Sequence, residues 1–97
     1  MLTSKQRAYL RGLASTEGDV AQVGKDGLND ACIEGIKKVL SARELIKIKV
    51  LPNCDYSARE VAHMLQEKLS AEVVGVVGYK IILYKYSDKK GIKHIQL

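Results

Sequence analysis

The sequence predicts an α/β fold, a two-layer sandwich of element order αβαβαββ built on a four-stranded mixed sheet. Three observations carry it. Apolar residues recur at three- and four-residue steps in three segments, 3–15, 29–40 and 57–70, as one face of a helix requires. Short alternating or apolar runs fill 19–23, 44–51, 72–77 and 81–86, the period and length of strands. The two kinds of segment alternate, so two strand–helix–strand units place three strands in parallel by right-handed crossovers, and a final hairpin adds one antiparallel strand.

The first helix is capped by Thr3 or Ser4 and carries Leu10, Leu13 and Ala14 on one side with Tyr9 beside them. Lys5, Arg7 and Arg11 make it basic, with no acid between Met1 and Ser15. A solvated face usually mixes charge signs, so this helix is a candidate polyanion contact. Ser15-Thr16-Glu17-Gly18 links it to the first strand, Asp19–Val23.

Gly24-Lys25-Asp26-Gly27 then turns the chain. Two glycines three apart are expected to supply positive φ and to permit close backbone approach. The second helix follows, with Asn29 as N-cap, a Leu28–Ile33 hydrophobic staple, and Leu28, Cys32, Ile36 and Leu40 along its stripe. A strand, a Gly-x-x-Gly loop and a helix N-terminus together can hold an anion through loop amides, the Lys25 charge and the helix dipole. A plain turn into a helix accounts for the spacing equally well, and Asp26 and Asp30 oppose an anion there.

In Glu44–Leu51, Ile46, Ile48 and Val50 point one way, and Lys47 and Lys49 the other with Leu45 and Leu51. One face is buried and one partly wet. The two lysines serve solubility or form a second basic patch. Ser57 and Glu60 form a capping box for the third helix, whose stripe is Ala58, Val61, Ala62, Leu65 and Leu69. His63 lies beside Glu60 and Glu67. With no third partner in view it reads as an exposed histidine, not a metal ligand or acid–base group. Glu72–Val77 is apolar on both faces, as expected of a strand in the sheet interior. Gly78-Tyr79-Lys80 turns into Ile81–Tyr86, and residues 88–97 form a basic tail that could end in a short edge strand.

Ninety-seven residues make a single domain, 1–97. No apolar run spans a membrane and the N-terminus lacks an apolar signal core, so a cytoplasmic location is expected. Two cysteines without ligand spacing imply neither a disulfide framework nor a metal site, and Cys32 reads as a small buried hydrophobe. No cofactor is implied. Sixteen Lys and Arg against eleven acids give a net charge of +5, compatible with a nucleic-acid partner.

Four stretches in register, Leu2–Ala14, Val23–Leu28, Glu44–Val50 and Val77–Lys85, resemble the CRM domain family, in particular its small stand-alone bacterial members of the YhbY type. The resemblance covers nearly the whole chain. It implies a core similar to the C-terminal domain of translation initiation factor three, and RNA binding through a loop used somewhat as in KH domains. In those domains the loop joins two helices, whereas here it joins a strand to a helix. Bacterial members associate with precursors of the large ribosomal subunit, and plant-organelle relatives act in group II intron splicing. Carried over by position, the implied RNA contacts are Gly24, Lys25 and Gly27, with Lys5, Arg7 and Arg11. The family's last strand usually ends in Tyr-Arg. Here Tyr84-Lys85 keeps the charge, so Lys85 joins the implied RNA contacts, but loses the two-pronged donor.

The expected function is therefore non-enzymatic RNA binding that assists large-subunit assembly, with ribosomal RNA and ribosomal proteins as partners and neither membrane nor small-molecule substrate. The alternative is a protein-interaction module docking on ribosomal proteins. An enzyme acting on phosphate esters lacks its parts: no phosphate-binding Gly-x-x-x-x-Gly-Lys-Ser/Thr loop, no paired carboxylates near the Gly-x-x-Gly loop, and no serine or cysteine nucleophile beside a histidine. With no Phe or Trp, base stacking falls to tyrosine. Tyr84 and Tyr86 either stack bases or belong to the core.

Overall fold

The structure is a computed structural model that describes residues 2–97. The element order is the expected one: α1 (Ser4–Ala14), β1 (Asp19–Val23), α2 (Asp30–Arg43), β2 (Leu45–Val50), α3 (Ala58–Leu69), β3 (Glu72–Val77) and β4 (Lys80–Tyr84). The helix starts follow their capping chemistry. The Thr3 hydroxyl accepts the Gln6 N–H at 3.1 Å while Gln6 Oε1 accepts the Thr3 N–H at 3.0 Å. Ser57 and Glu60 repeat this reciprocal pair at α3, and Asn29 Oδ1 accepts the Cys32 N–H at 2.8 Å at α2.

The sheet order is β1-β2-β4-β3. β1 and β2 are parallel, and β4 is antiparallel to both β2 and β3. β1, β2 and β3 thus run the same way, as the crossovers require, but β4 is inserted between β2 and β3. The interior place expected for β3 is corrected: β3 is an edge strand and β4 is interior. Its apolarity on both faces has another cause. Val74 packs with Leu10 and Ala14 of α1, while Val73 and Val76 pack on the opposite face against the core of α2 and α3. Side-chain alternation reports what covers the faces of a strand and says nothing of what pairs with its edges.

The larger core lies between the sheet and α2/α3, joining Ile36, Leu40, Val61 and Leu65 to Val23, Ile46, Ile48 and Leu83. On the other face a smaller core of Leu10, Ala14, Leu45, Val74, Ile82 and Tyr84 seats α1. Helices therefore cover the two faces unequally, as the half-polar pattern of β2 implies. Beyond α1, that second face carries Lys47 and Lys49, with Lys80 opposite Lys49.

The tail forms no edge strand; residues 85–97 have no regular structure. Glu44 accounts for their course. It is the C-cap of α2, with φ +65°, and is fully buried (0% exposed). Its carboxylate accepts the Ser87 N–H at 2.8 Å and the Ile95 N–H at 2.9 Å, and meets His94 Nδ1 at 2.7 Å. Its carbonyl accepts the Lys85 N–H at 2.9 Å. Burial pushes this carboxyl up, but the hydrogen bonds from Ser87, His94 and Ile95 outweigh burial and hold it below its ordinary value. A buried carboxylate left without such donors would be costly, so the tail and Glu44 require each other.

Candidate nucleic-acid interface

The Gly24–Gly27 loop is a closed turn in which the Gly27 N–H donates to the Gly24 carbonyl at 2.9 Å. Only Gly27 has positive φ, +64°. The expectation that both glycines supply it is corrected: Gly24 has negative φ and serves close contact instead. A Cβ there would stand 3.3 Å from Leu51 Cδ1 and 3.6 Å from Asn53 Oδ1. The loop is thereby laid against the segment after β2, where the Leu51 N–H donates to the Val23 carbonyl at 2.8 Å. The Gly27 amide is spent on the turn, and Lys25 stands exposed at its tip beside exposed Asp26. Asp30 occupies the first turn of α2 and complements the helix dipole itself. Lys25 is thus the cation that the loop presents outward.

The cations of α1 lie elsewhere. Arg7 Nη1 donates to the Val73 carbonyl, and its Nη2 stands 3.4 Å from the Glu72 carboxylate. Arg11 Nη1 donates to the Val74 carbonyl at 3.4 Å, and its stem crosses Gly75, where a Cβ would come within 3.2 Å of Cδ. Both arginines brace edge strand β3. Lys5 is exposed and lines a shallow groove with Gln96 and Leu97. Lys85 Nζ donates to the Leu69 carbonyl at 2.8 Å, at the C-terminal end of α3, where a cation is favoured by the dipole. The loop follows β1, one edge of the sheet, and Arg7 and Arg11 reach β3, the other edge. Three strand spacings, roughly 14 Å, separate them. The predicted residues therefore divide into an outward group (Lys5, Lys25) and a group already engaged within the fold (Arg7, Arg11, Lys85).

Residues 2–85 match the model of the CRS1 / YhbY (CRM) domain. The chain belongs to the CRM domain family. It is 42% identical over 97 residues to the "Probable RNA-binding protein YqeI" of Bacillus subtilis, covering all of this chain and 99% of that one. It is 36% identical to the "Probable RNA-binding protein MJ0652" of Methanocaldococcus jannaschii, over 98% of this chain and 77% of the relative. The solution structure of SAV1595 from Staphylococcus aureus superposes with a TM-score of 0.82 at 41% identity, covering 100% of this chain and 99% of that one.

Within this CRM domain the tyrosines are sorted by burial. Tyr84 is core, 7% exposed, and burial followed by the nearby Glu44 charge pushes its phenol up. Tyr86 lies past the end of β4 and stacks on His94, with ring centroids 4.4 Å apart. Tyr56 and Tyr79, at 48% and 62% exposed, were not singled out as stacking candidates by sequence reasoning. The available signal for Tyr79 was its place at the tip of a two-residue Gly-Tyr turn, where a side chain must point outward. Lys80 is paired with Asp19. Lys47 and Lys49, by contrast, remain half-exposed on the sheet face. His63 is exposed and stands 3.1 Å from Glu67, while Glu60 serves the α3 cap. Burial raises the Cys32 thiol, which packs against the larger core and is a poor nucleophile. Among the described residues no helix is long and apolar enough to cross a membrane.

Proposed function

We propose that this CRM domain binds RNA, specifically ribosomal RNA in precursors of the large subunit, and assists assembly without catalysing a reaction. One observation carries the RNA reading: the family match over residues 2–85, together with full-length relatives named as RNA-binding proteins. The ribosomal target rests on the resemblance to the YhbY-type proteins. The geometry supports the RNA reading with an exposed lysine on a hydrogen-bonded turn, and with Lys47 and Lys49 on the part of the sheet face beyond α1.

Lys25 would contact phosphate at the tip of the Gly24–Gly27 turn, while Lys5 and the outward edges of Arg7 and Arg11 set orientation from α1. Such contacts position a protein without reading sequence, so specificity would come from RNA shape or unstacked bases. Lys85 is the weakest member of the predicted set, since contacting RNA would require it to leave the Leu69 carbonyl. With about four to six phosphates engaged, log K falls with log salt at a slope of roughly −3 to −5.

The test is sedimentation of a cell lysate carrying wild type or the Lys25→Glu, Lys5→Glu double variant. Both positions are exposed, so the fold should be retained. Wild type with large-subunit precursors and variant at the top of the gradient supports the proposal. Co-migration of both would favour docking on ribosomal proteins, and wild type remaining at the top would refute the ribosomal target.

A further inference from the structure

We infer that the groove between Tyr56 and Tyr79 receives one unpaired nucleobase that carries an exocyclic amino group. This rests on the RNA-binding reading and adds a base subsite beside the loop that would hold the phosphate. The two rings line one open groove of about 360 Å³ with Leu51, Pro52, Asp55 and Glu60. They come from different segments, each with a pinned backbone. Tyr79 follows Gly78, whose φ of +58° turns the β3–β4 hairpin, and its carbonyl accepts the Val50 N–H at 2.7 Å. Tyr56 lies between the turn closed by the Cys54 N–H on the Leu51 carbonyl (3.0 Å) and the Ser57 cap of α3. Aromatic rings on fixed backbone lose little entropy on binding, and every base offers a face to stack on.

The charges of the groove decide what enters. No Lys or Arg lines it, while Asp55 and Glu60 do, so a phosphate is repelled and the neutral base is admitted. Carboxylates only accept hydrogen bonds. Glu60 already accepts the Ser57 N–H, and Asp55 is exposed. Cytosine N4, adenine N6 or the guanine amine can donate to them, whereas uracil carries a carbonyl where cytosine has its amine and is left with the single N3–H to donate. Leu51 connects the two subsites. It lines the groove, and its Cδ1 is the atom that a Cβ on Gly24 would meet. A strand whose phosphate rests at Lys25 can therefore reach the groove across Leu51. An acid-lined aromatic groove would also suit a cationic peptide, but this continuity with the loop favours RNA.

The test is fluorescence anisotropy with the single-stranded decamers rC10, rA10 and rU10 at several salt concentrations. Wild type should prefer rC10 and rA10 to rU10 by about fivefold or more. Tyr79→Ala or Tyr56→Ala should weaken rC10 binding by roughly five- to one-hundred-fold with the salt slope unchanged. Tyr79→Phe should retain binding, and Asp55→Ala should erase the base preference. Lys25→Glu should weaken all three decamers alike and flatten the slope. If both tyrosine variants bind as wild type while Lys25→Glu weakens, the base subsite is overturned and the RNA reading stands. If the tyrosine variants lose only their association with ribosomal precursors, the occupant is a peptide and the inference is overturned. If wild type binds no decamer even at low salt, the RNA reading falls and takes the inference with it.

Discussion

The two ends of the sheet are closed by different means. Where β1 and β2 finish and β3 turns into β4, backbone groups do the work: Leu51 to Val23, Val50 to Tyr79, Gly27 to Gly24. At the end where those strands begin, side chains do it. Glu44 holds Ser87, His94 and Ile95, Lys85 holds Leu69, and Arg7 holds Glu72 and Val73. The difference bears on function. A loop closed by its own amides leaves its side chains outward, and Lys25, Tyr56 and Tyr79 are exposed for that reason. A joint closed by side chains consumes their hydrogen-bonding capacity, so charge counted in the sequence is no longer all available to a partner. Lys85 counts fully toward a net charge, yet its ammonium already has an acceptor.

Removing the hub at the side-chain-closed end should have the largest effect. Glu44→Ala deletes the acceptor of a buried amide, a half-buried amide and a histidine, and should cost about 3–5 kcal/mol in urea unfolding. Trypsin should then cut at Lys89, Lys90 or Lys93 well before the core opens. An uncut tail at unchanged stability would show that the joint does not depend on this carboxylate.

Acid should separate the two ends next. The folded Glu44 carboxyl is held below its unfolded value, so its contribution is fully present above the ordinary carboxylate range. That contribution is lost as pH falls through the folded value. Wild type should therefore lose stability on acidification more steeply than Glu44→Gln, with the tail amides of Ser87 and Ile95 exchanging hydrogen before those of β2. Parallel pH profiles for the two proteins would contradict the assignment.

The smallest effect is expected within the Gly loop. Gly27→Ala places a Cβ on a residue with φ +64° and should cost about 1 kcal/mol. Gly24→Ala brings its Cβ close to the far end of the Leu51 side chain, with Asn53 Oδ1 at ordinary contact distance, and should cost less. The reverse order in thermal unfolding would mean that the contact with Leu51, and not the backbone conformation, sets the turn.

Local signals were legible because their causes are local. The Thr3 and Ser57 capping boxes, the Asn29 cap, and the stripe of Ile36 and Leu40 each follow from a few neighbouring side chains and the helical period. The Gly24–Gly27 loop was legible as a turn, but the division of labour between its glycines was not, since Gly24 answers to Leu51 and Asn53 in a distant segment. The same holds for the basic first helix. Charge and spacing mark Arg7 and Arg11 as candidates, whereas their engagement with β3 follows from a packing that no local pattern encodes.

By itself, then, the sequence determined the element order, the helix caps, the larger core and the resemblance to a CRM domain, since periodicity and short-range capping are written within each segment. Tertiary structure alone decided that β4 lies between β2 and β3, that Glu44 binds the tail, and that Tyr56 and Tyr79 share a groove with Leu51, the residue against which Gly24 is laid. The physical reason is the same in each case. Strand neighbours, buried hydrogen bonds and shared surfaces join residues distant in the chain, and alternation along one strand records only what covers its faces.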